Sequence, residues 1–583
     1  MNVASFLIEV MEGIGITQGF SLVGGMSMYL NYAADSSKLS VLYCNHEQAV
    51  VAAADGYTKA ADFELPGLAI VTSGPGVTNV ITSLASAYYD SVPLILLSGQ
   101  VKSADINHYE VRSHGAQEVP HTALLQTITK SSFIYEPTKI SNLELASHLA
   151  LSMTGRKGPV HIDIPLDIQN MEIKSRSDVL EVVELYKAYL AQTSTASNIL
   201  PTQMLNDLRN AQRPLMVLGN GLKIASIPGE LINKVVNYLG VPVLFTWASM
   251  DILDYGHDLA FGSAGGLAGV HSNRILQAAD FIIFLGVRLD LLTTGFNPAA
   301  YGKNATRYSF ECDQAELDKY AHVKNLHGYK LDVRAVLHEI LVSPVGLREE
   351  VSMWTAQCKS WKEEDQKAEK NEFSETRLNS YHIADLISRS PSTKYVVPTA
   401  SGYAIEGFAR FYKTTRGSRF AWAGHVLGSM GLALPSAIGA SARLKHCVAC
   451  VDGDGGFLLN MQELMSLKAN PDLAIAIFIL NNRGYTSIRV SQSRAFNGNF
   501  GSSVDSGLAD VDYSMLANLA NLSYMECDSY ESLSVAISDI GPASRILINV
   551  MMEEEVYRGP AIQTKFDATG RPYSTDLESI AWR

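Results

Sequence analysis

The chain has 583 residues, 47% of them hydrophobic and 18% charged, with a formal net charge of −13 at pH 7. That is enough apolar material for three or four cores, and an acidic balance without basic runs argues against a nucleic-acid surface or a polybasic membrane patch. The opening "MNVASFLIEVMEGIGI" has no basic n-region or cleavage site, no apolar run reaches bilayer-spanning length, and six cysteines are too few for a disulfide framework; a cytoplasmic protein acting on small molecules, with no nucleic acid and no membrane as partner, is expected.

Taken in chain order, "VLYCNHEQAVVAAADGYTKA" (41–60) comes first and places Glu47 at a strand-to-helix junction, where a carboxylate suits the helix dipole whatever else it does. Short β-branched runs that end in glycine and lead into helical patterns follow: "GLAIVTSGPGVTN" (67–79), "PLMVLGNGLK" (214–223), "ADFIIFLGVRLD" (279–290) and "CVACVDGDGG" (447–456). The alternation predicts an α/β fold of doubly wound parallel sheets covered by helices. Residues 174–200, polar and ending in a Ser/Thr/Asn cluster, and the strongly charged 350–380 read as connectors, the second partly helical. They divide the chain into 1–175, 190–345 and 375–555, each long enough for one doubly wound domain, with a tail at 556–583. Ligands of such domains lie beyond the carboxyl ends of the strands.

The third segment holds the most specific pattern. Cys447 to Val451 predicts a strand, with Cys447 and Cys450 as buried thiols, and it ends in "VDGDGG" (451–456). Phe457, Met461, Leu464 and Met465 share one helical face, and Asn470-Pro471 stops the helix. "LAIAIFIL" (473–480) then predicts a fully buried strand that delivers Asn481 and Asn482 at its end. If these strands are neighbours, Asp454 meets the asparagines, and a carboxylate, an amide oxygen and turn carbonyls make a hard oxygen set suited to Mg²⁺ with phosphate. Gly455 and Gly456, at the helix start, would offer N–H groups to the same phosphates. GDG alone is an ordinary turn; Asp454 and Asn482, each at a strand end with 27 residues between them, form a far more specific pattern.

Together these residues resemble the thiamine-diphosphate fingerprint. The resemblance implies that Asp454, Asn482 and the carbonyl of Gly484 hold Mg²⁺, which anchors the cofactor diphosphate, with Gly453, Gly455, Gly456, Tyr485 and Thr486 around it. The HEQ and AADGY stretches around Glu47 look like the matching motif of the acetolactate synthase group. So do "FSLVGG" (20–25), with Gly24 and Gly25, and "TSGPGVTN" (72–79), with Gly76 and Asn79. "DSVPLILLSGQV" (90–101), "GRKGPVHIDIPLDIQ" (155–169) and "GSMGLALPSAIGA" (428–440), with Gly428 and Ser429, extend the likeness over nearly the whole chain. It implies pyrimidine-binding, central and diphosphate-binding domains in that order. Glu47 would drive the aminopyrimidine to its imino tautomer, Met430 would bend the cofactor so that its amino group lies against C2, and Gln117 would be a catalytic residue of the pocket. In this family Glu47 and Asp454 belong to facing subunits, so a homodimer or homotetramer with active sites at the subunit interface is expected.

The central segment resembles the part of acetolactate synthase that binds FAD without redox use. Gly219 and Gly221 form its strand-end turn, and Arg288, Asp290 and Glu311 match positions that hold the flavin; Leu292, however, stands where the pattern has an arginine, and "GSAGGLAG" (262–269) replaces a Met-His segment. FAD, an empty cleft and a cleft used differently all remain open. In the substrate pocket, Ala116 precedes Gln117 and Glu118 where acetolactate synthases carry phenylalanine, and Ser491 aligns with a tryptophan that favours a keto-acid acceptor. Ile488 stands where pyruvate decarboxylases carry a glutamate. "GQVK" (99–102), "NNRGYTSIR" (481–489) and "DSGLADVDY" (505–513) look closer to the acetolactate-synthase-like proteins of surface-polysaccharide gene clusters, some of which transfer an acetyl unit from pyruvate to a keto-sugar nucleotide. The resemblance thus implies decarboxylation of a 2-keto acid, pyruvate foremost, with carboligation to a carbonyl acceptor. A second pyruvate as acceptor, and simple decarboxylation or C–C hydrolysis, are the alternatives. His108 and His114 are candidates for moving protons near neutral pH, or plain surface histidines. Tails such as 556–583 cover the active site in related proteins, where they exclude water.

Overall fold

The computed structural model describes all residues except His108, Glu110, 193–199, 374–377, Arg416, Asn497, 554–558, Gln563 and Arg583. The three stretches of strand and helix alternation form three six-stranded sheets, each wholly parallel. In the first, β1 (Gln18–Ser21), β2 (Ser40–Tyr43), β3 (Gly67–Val71), β4 (Leu94–Gln100), β5 (Ser131–Ile134) and β6 (Pro159–Pro165) lie in the order β2-β1-β3-β4-β6-β5. The second holds β7 (Pro214–Leu218), β8 (Val243–Phe245), β9 (Ala260–Ser263), β10 (Phe281–Leu285), β11 (Thr306–Glu311) and β12 (Leu326–Lys330) in the order β12-β11-β10-β7-β8-β9, which is that of dinucleotide-binding folds. The third, β13 (Tyr395–Pro398), β14 (Arg419–Phe420), β15 (Val448–Gly453), β16 (Ile475–Asn481), β17 (Ser523–Cys527) and β18 (Arg545–Met551), repeats the order of the first. Helices cover both faces of each sheet, so inner strands such as β4, β6 and β16 are buried at every position and read as unbroken apolar runs rather than as alternations.

The first and third domains share a core in which the Ala-rich helix Glu47–Ala60 crosses the helix Ala433–Leu444. Their backbones touch: a Cβ on Gly56 would lie 2.0 Å from the Ser436 carbonyl oxygen, and one on Gly439 1.8 Å from that of Ala53. The connector stretches are more ordered than their composition suggests. Arg176–Gln192 is a helix whose Val179, Val182, Val183 and Tyr186 pack into the first domain. The helix Glu350–Glu372 seats Trp354 and Cys358 in the central domain's core.

Leu577 and Ile580 join the central core, and Trp582 donates from its indole to Asp365 on the connector helix, because these apolar side chains find a matching surface there. No described helix is long and apolar enough to cross a membrane.

Candidate active site

β15 and β16 pair in parallel with Gly453 opposite Leu480, so Asp454 and Asn482 emerge side by side from adjacent strand ends. They line a pocket of about 600 Å³ at the point where the strand order reverses between β13 and β15, the place where doubly wound sheets bind ligands. Gly453, Gly455, Gly456, Gly484, Tyr485, Thr486 and Ile488 also line it, and Met430 reaches it from the loop between β14 and the helix Ala433–Leu444. Gly484 sits at φ +133°, a conformation that excludes a side chain. Asp454 is buried; its Oδ1 accepts from the Gly455 N–H and its Oδ2 from the Gly484 N–H, each at 2.7 Å. Burial pushes its pKa up to about 6 against those two N–H groups. Burial pushes neighbouring Asp452 further, to about 8, which leaves Asp454 as the carboxylate most readily ionised in the pocket.

Asn482 is also buried, and its Oδ1 has no hydrogen-bond partner. An unpartnered amide oxygen beside a buried carboxylate lacks a positive charge to complete it, and the donor set fits a hard divalent cation such as Mg²⁺. No group of three His, Cys, Asp or Glu side chains gathers as a metal centre among the described residues, so a cation here relies on amide and backbone oxygens as well. Two expectations need correction. The Gly455 N–H is taken by Asp454 and is not turned to a phosphate. The helix after the glycines is short, Asp454–Phe457, and gives way to a 3-10 turn broken at Asn460 (φ −134°), so Met461 is 41% exposed while Phe457 and Leu464 are buried. The break has a cause: the Asn460 amide donates to Gln48 Oε1 of the first domain and to the Gly431 carbonyl next to Met430. Tyr485 packs its ring where a Cβ on Gly455 would lie 2.2 Å from it, and Thr486 accepts from Arg489, whose guanidinium also holds the Asn482 carbonyl. Gly428 (φ +68°) and Ser429 form the turn before Met430, outside the pocket wall; the loop is anchored by His425 and Val426, whose N–H groups donate to Asp90.

In the first domain Glu47 opens its helix, capped by His46, and is buried. Asn79, on the helix Pro75–Tyr89, donates to Glu47 Oε2 at 2.9 Å, so Asn79 orients the acid. Gly24 meets Thr72, whose hydroxyl accepts from the Met26 N–H; a Cβ on Gly24 would lie 2.4 Å from Thr72 Cβ, one on Gly76 3.0 Å from Thr72 Cγ2, and none around Gly25 would meet anything. Gln117 and Ala116 are exposed, and Gln117 has φ +62°. Ile488 (49% exposed) and Ser491, three residues apart on the helix Thr486–Phe496, share a face; the Ser491 hydroxyl turns back onto the Ser487 carbonyl. His114 is exposed against Tyr109, and His108 lies outside the described residues. Neither Glu47, Ala116 nor Gln117 lines the Asp454 pocket.

A set of residues absent from the sequence reading lies behind Gln117: Ser98, Gln100, His121, His161 and Asp163 form one buried hydrogen-bonded group. The available signal was "PVHIDIP" (159–165), a buried strand with His161 and Asp163 two residues apart and so on one face.

The central cleft, about 890 Å³, opens where the order reverses between β7 and β10. Gly221, Arg288, Asp290 and Glu311 line it. Gly219 does not; a Cβ there would lie 2.1 Å from the Gly286 carbonyl oxygen, so it serves close strand-end packing. Arg288 donates to the Tyr89 carbonyl, Asp290 caps its own turn through Thr293, and Glu311 accepts from the Cys312 N–H and thiol. Leu292 packs towards the core. The indole N–H of Trp247 and Nε2 of His425, both cleft residues, are buried without partners, and burial pushes the His425 pKa down to about 4, keeping the ring neutral.

Profiles of known families match along the chain. The thiamine pyrophosphate enzyme N-terminal TPP binding domain matches residues 1–124, the central domain of the same family 201–340, and its C-terminal TPP binding domain 401–547. Acetolactate synthase 2, chloroplastic, of Nicotiana tabacum is 30% identical over 498 residues, covering 85% of this chain and 72% of its own. The acetolactate synthase large subunit of Lactococcus lactis is 26% identical over 562 residues, covering 96% and 94%. The probable acetolactate synthase large subunit of Methanococcus aeolicus is 29% identical over 501 residues, covering 83% and 81%. With all three domains matched in order and the strand ends arranged as described, the chain belongs to the thiamine pyrophosphate enzymes, as a homologue of the acetolactate synthase large subunits.

Proposed function

We propose that this protein is a thiamine-diphosphate- and Mg²⁺-dependent carboligase that decarboxylates a 2-keto acid, pyruvate foremost, and joins the remaining two-carbon unit to a carbonyl acceptor larger than a second pyruvate, of the keto-sugar nucleotide kind. The observation that carries the cofactor assignment is the unpartnered Asn482 Oδ1 beside buried Asp454. These two and the Gly484 carbonyl would hold the cation. Thiamine diphosphate bound there supplies the nucleophilic carbon for both bond-making and bond-breaking at the keto acid. Glu47, oriented by Asn79, holds and returns a proton at its carboxylate, and Met430 supports the ligand from the facing loop. Small side chains at Ala116 and Ser491 leave room for a ring-sized acceptor.

Because the Asp454 pocket has no wall from Glu47, we place the complete site between two copies of the chain, in a homodimer alone or paired into a homotetramer. Exposed apolar residues beside the cofactor stretches, Val23, Met28, Leu427, Leu459 and Met461, support a covered face there. For the central cleft we propose FAD; the strand order and the two unpartnered ring nitrogens support it, and flavin absorbance of protein purified without added cofactor tests it.

The test of the reaction is incubation with thiamine diphosphate, Mg²⁺ and pyruvate, with and without keto-sugar nucleotides, with products identified by mass. Ser491→Trp is expected to lower transfer to the large acceptor about ten- to hundredfold, the cost of overpacking a pocket by roughly 1–3 kcal/mol, while CO₂ release from pyruvate continues. Acetolactate alone at every acceptor concentration overturns the wide-pocket assignment in favour of an acetolactate synthase. Free aldehyde as the end product marks a simple decarboxylase, against which Ile488 stands.

A further inference from the structure

Behind the Gln117 segment, hydrogen bonds in the buried floor of the first domain converge on Asp163. The Gly74 N–H donates to His121 Nε2 at 3.1 Å, so that nitrogen carries no proton and the ring proton sits on Nδ1. Nδ1 lies 3.0 Å from Asp163 Oδ1, and the two side chains are 0% and 1% exposed. Asp163 Oδ1 also accepts from the Ser98 hydroxyl at 2.6 Å, and Oδ2 accepts from Gln100 at 3.1 Å. His161 Nε2 lies 2.7 Å from Ser98 Oγ and its Nδ1 2.8 Å from Ser132 Oγ, which completes the group. Gln100 is itself fixed, its Oε1 accepting from the Val101 N–H and its amide donating to the Val119 carbonyl. Asp163 is held below the usual carboxylate range despite its burial, by His121, His161 and Ser98.

What this group grips is the start of the helix Pro75–Tyr89. Gly74 (φ +63°) and Gln117 (φ +62°) are both left-handed and in backbone contact; a Cβ on Gly74 would lie 2.8 Å from the Gln117 carbonyl oxygen. A non-glycine residue in that conformation is strained and persists only where its surroundings over-determine it. The helix gripped at Gly74 is the one whose Asn79 holds Glu47. One imidazole thus sits between a buried carboxylate and the backbone that sets two site residues.

We propose that His121 is a positioning residue of the active centre: backed by Asp163, its unprotonated Nε2 fixes the Gly74 turn and through it both the Gln117 backbone and the Asn79–Glu47 pair. This rests on the reading that thiamine diphosphate binds beside Glu47. Two amide replacements separate the ring's two nitrogens. In His121→Gln the amide oxygen takes the place of Nε2 and still accepts from Gly74; in His121→Asn the amide reaches only towards Asp163. Asp163→Asn places a donor among groups that already donate, and favours the wrong ring tautomer.

The experiment is C2–H exchange with deuterium in thiamine diphosphate bound to each variant, by NMR, beside calorimetric affinity for the cofactor and thermal unfolding. His121→Asn and Asp163→Asn are expected to exchange about tenfold more slowly than the wild type at unchanged affinity, the size of one neutral hydrogen bond, and His121→Gln to recover most of the rate. A role in packing alone would lower the melting temperatures together and leave exchange in the bound cofactor unchanged; that result, or equal rates in His121→Asn and His121→Gln, overturns the proposal. Should His121→Asn not fold, Asp163→Asn against His121→Gln decides by the same ordering. A wild type that binds no thiamine diphosphate overturns the functional reading itself, whereas a binding, exchanging wild type matched by all variants overturns only the positioning role.

Discussion

Asp454 carries the pocket's anionic charge in surroundings that resist it: burial raises its pKa to about 6, and two backbone N–H groups answer only in part. On the proposed reading a divalent cation would complete this site, so Asp454→Ala is expected to weaken retention of thiamine diphosphate by more than about a hundredfold, and a chelator should do the same to the wild type. Undiminished binding of thiamine diphosphate to Asp454→Ala by calorimetry would remove the metal assignment. Glu47→Gln is different in kind. The amide keeps the shape and can still meet Asn79, but it holds no proton to exchange, so binding is expected to survive while C2–H exchange falls about 10²–10⁴-fold. At this scale, legibility followed distance along the chain. Asp454, Asn482 and Glu47 stand in short motifs, each beside the strand end that places it. His121 carries no such motif, and "PVHIDIP" alone does not show what Asp163 does, because the role of the pair depends on β4, β6 and the Gly74 turn meeting in space. Met461 was misplaced because Asn460 breaks the helical period to reach Gln48 and Gly431, and no periodicity announces that.

Among the elements, the crossing of Glu47–Ala60 with Ala433–Leu444 is the most exacting contact. It lets the helix that carries Glu47 lie directly on the helix that follows the Met430 loop. Gly439→Ala would drive a methyl group into the Ala53 carbonyl, and the helices must separate to admit it. The expected cost is about 1–3 kcal/mol, seen as a melting midpoint several degrees lower with reduced thiamine-diphosphate-dependent activity. A midpoint unchanged from the wild type would mean that the helices are further apart than described. The parallel α/β class was legible from glycine-ended β-branched runs alternating with helical patterns. The strand orders were not, since pairing is decided by contacts distant in sequence; the charged stretch 350–380, expected to be partly helical, is a helix over Glu350–Glu372 whose apolar residues Trp354 and Cys358 are spaced one turn apart.

For the whole molecule, the separation of Glu47 from the Asp454 pocket makes a prediction that mutation of one site cannot. Glu47→Gln and Asp454→Ala, each inactive alone, are expected to regain activity when mixed and allowed to exchange subunits. Half of the dimers are then hybrids with one intact site each, so recovery approaches about a quarter of the wild-type value. If the mixture stays inactive while sedimentation shows exchanged dimers, each site lies within one chain. The crossing helices carry one more consequence. Gly56 meets Ser436 while Gly439 meets Ala53, so each glycine falls three residues beyond the position that the other helix touches, and the two domains behind them have the same strand order. Such reciprocity is the mark of a two-fold axis, here inside a single polypeptide. The chain therefore packs two of its own domains as a symmetric dimer packs two copies, and methyl groups added at Gly56 and at Gly439 should destabilise it equally.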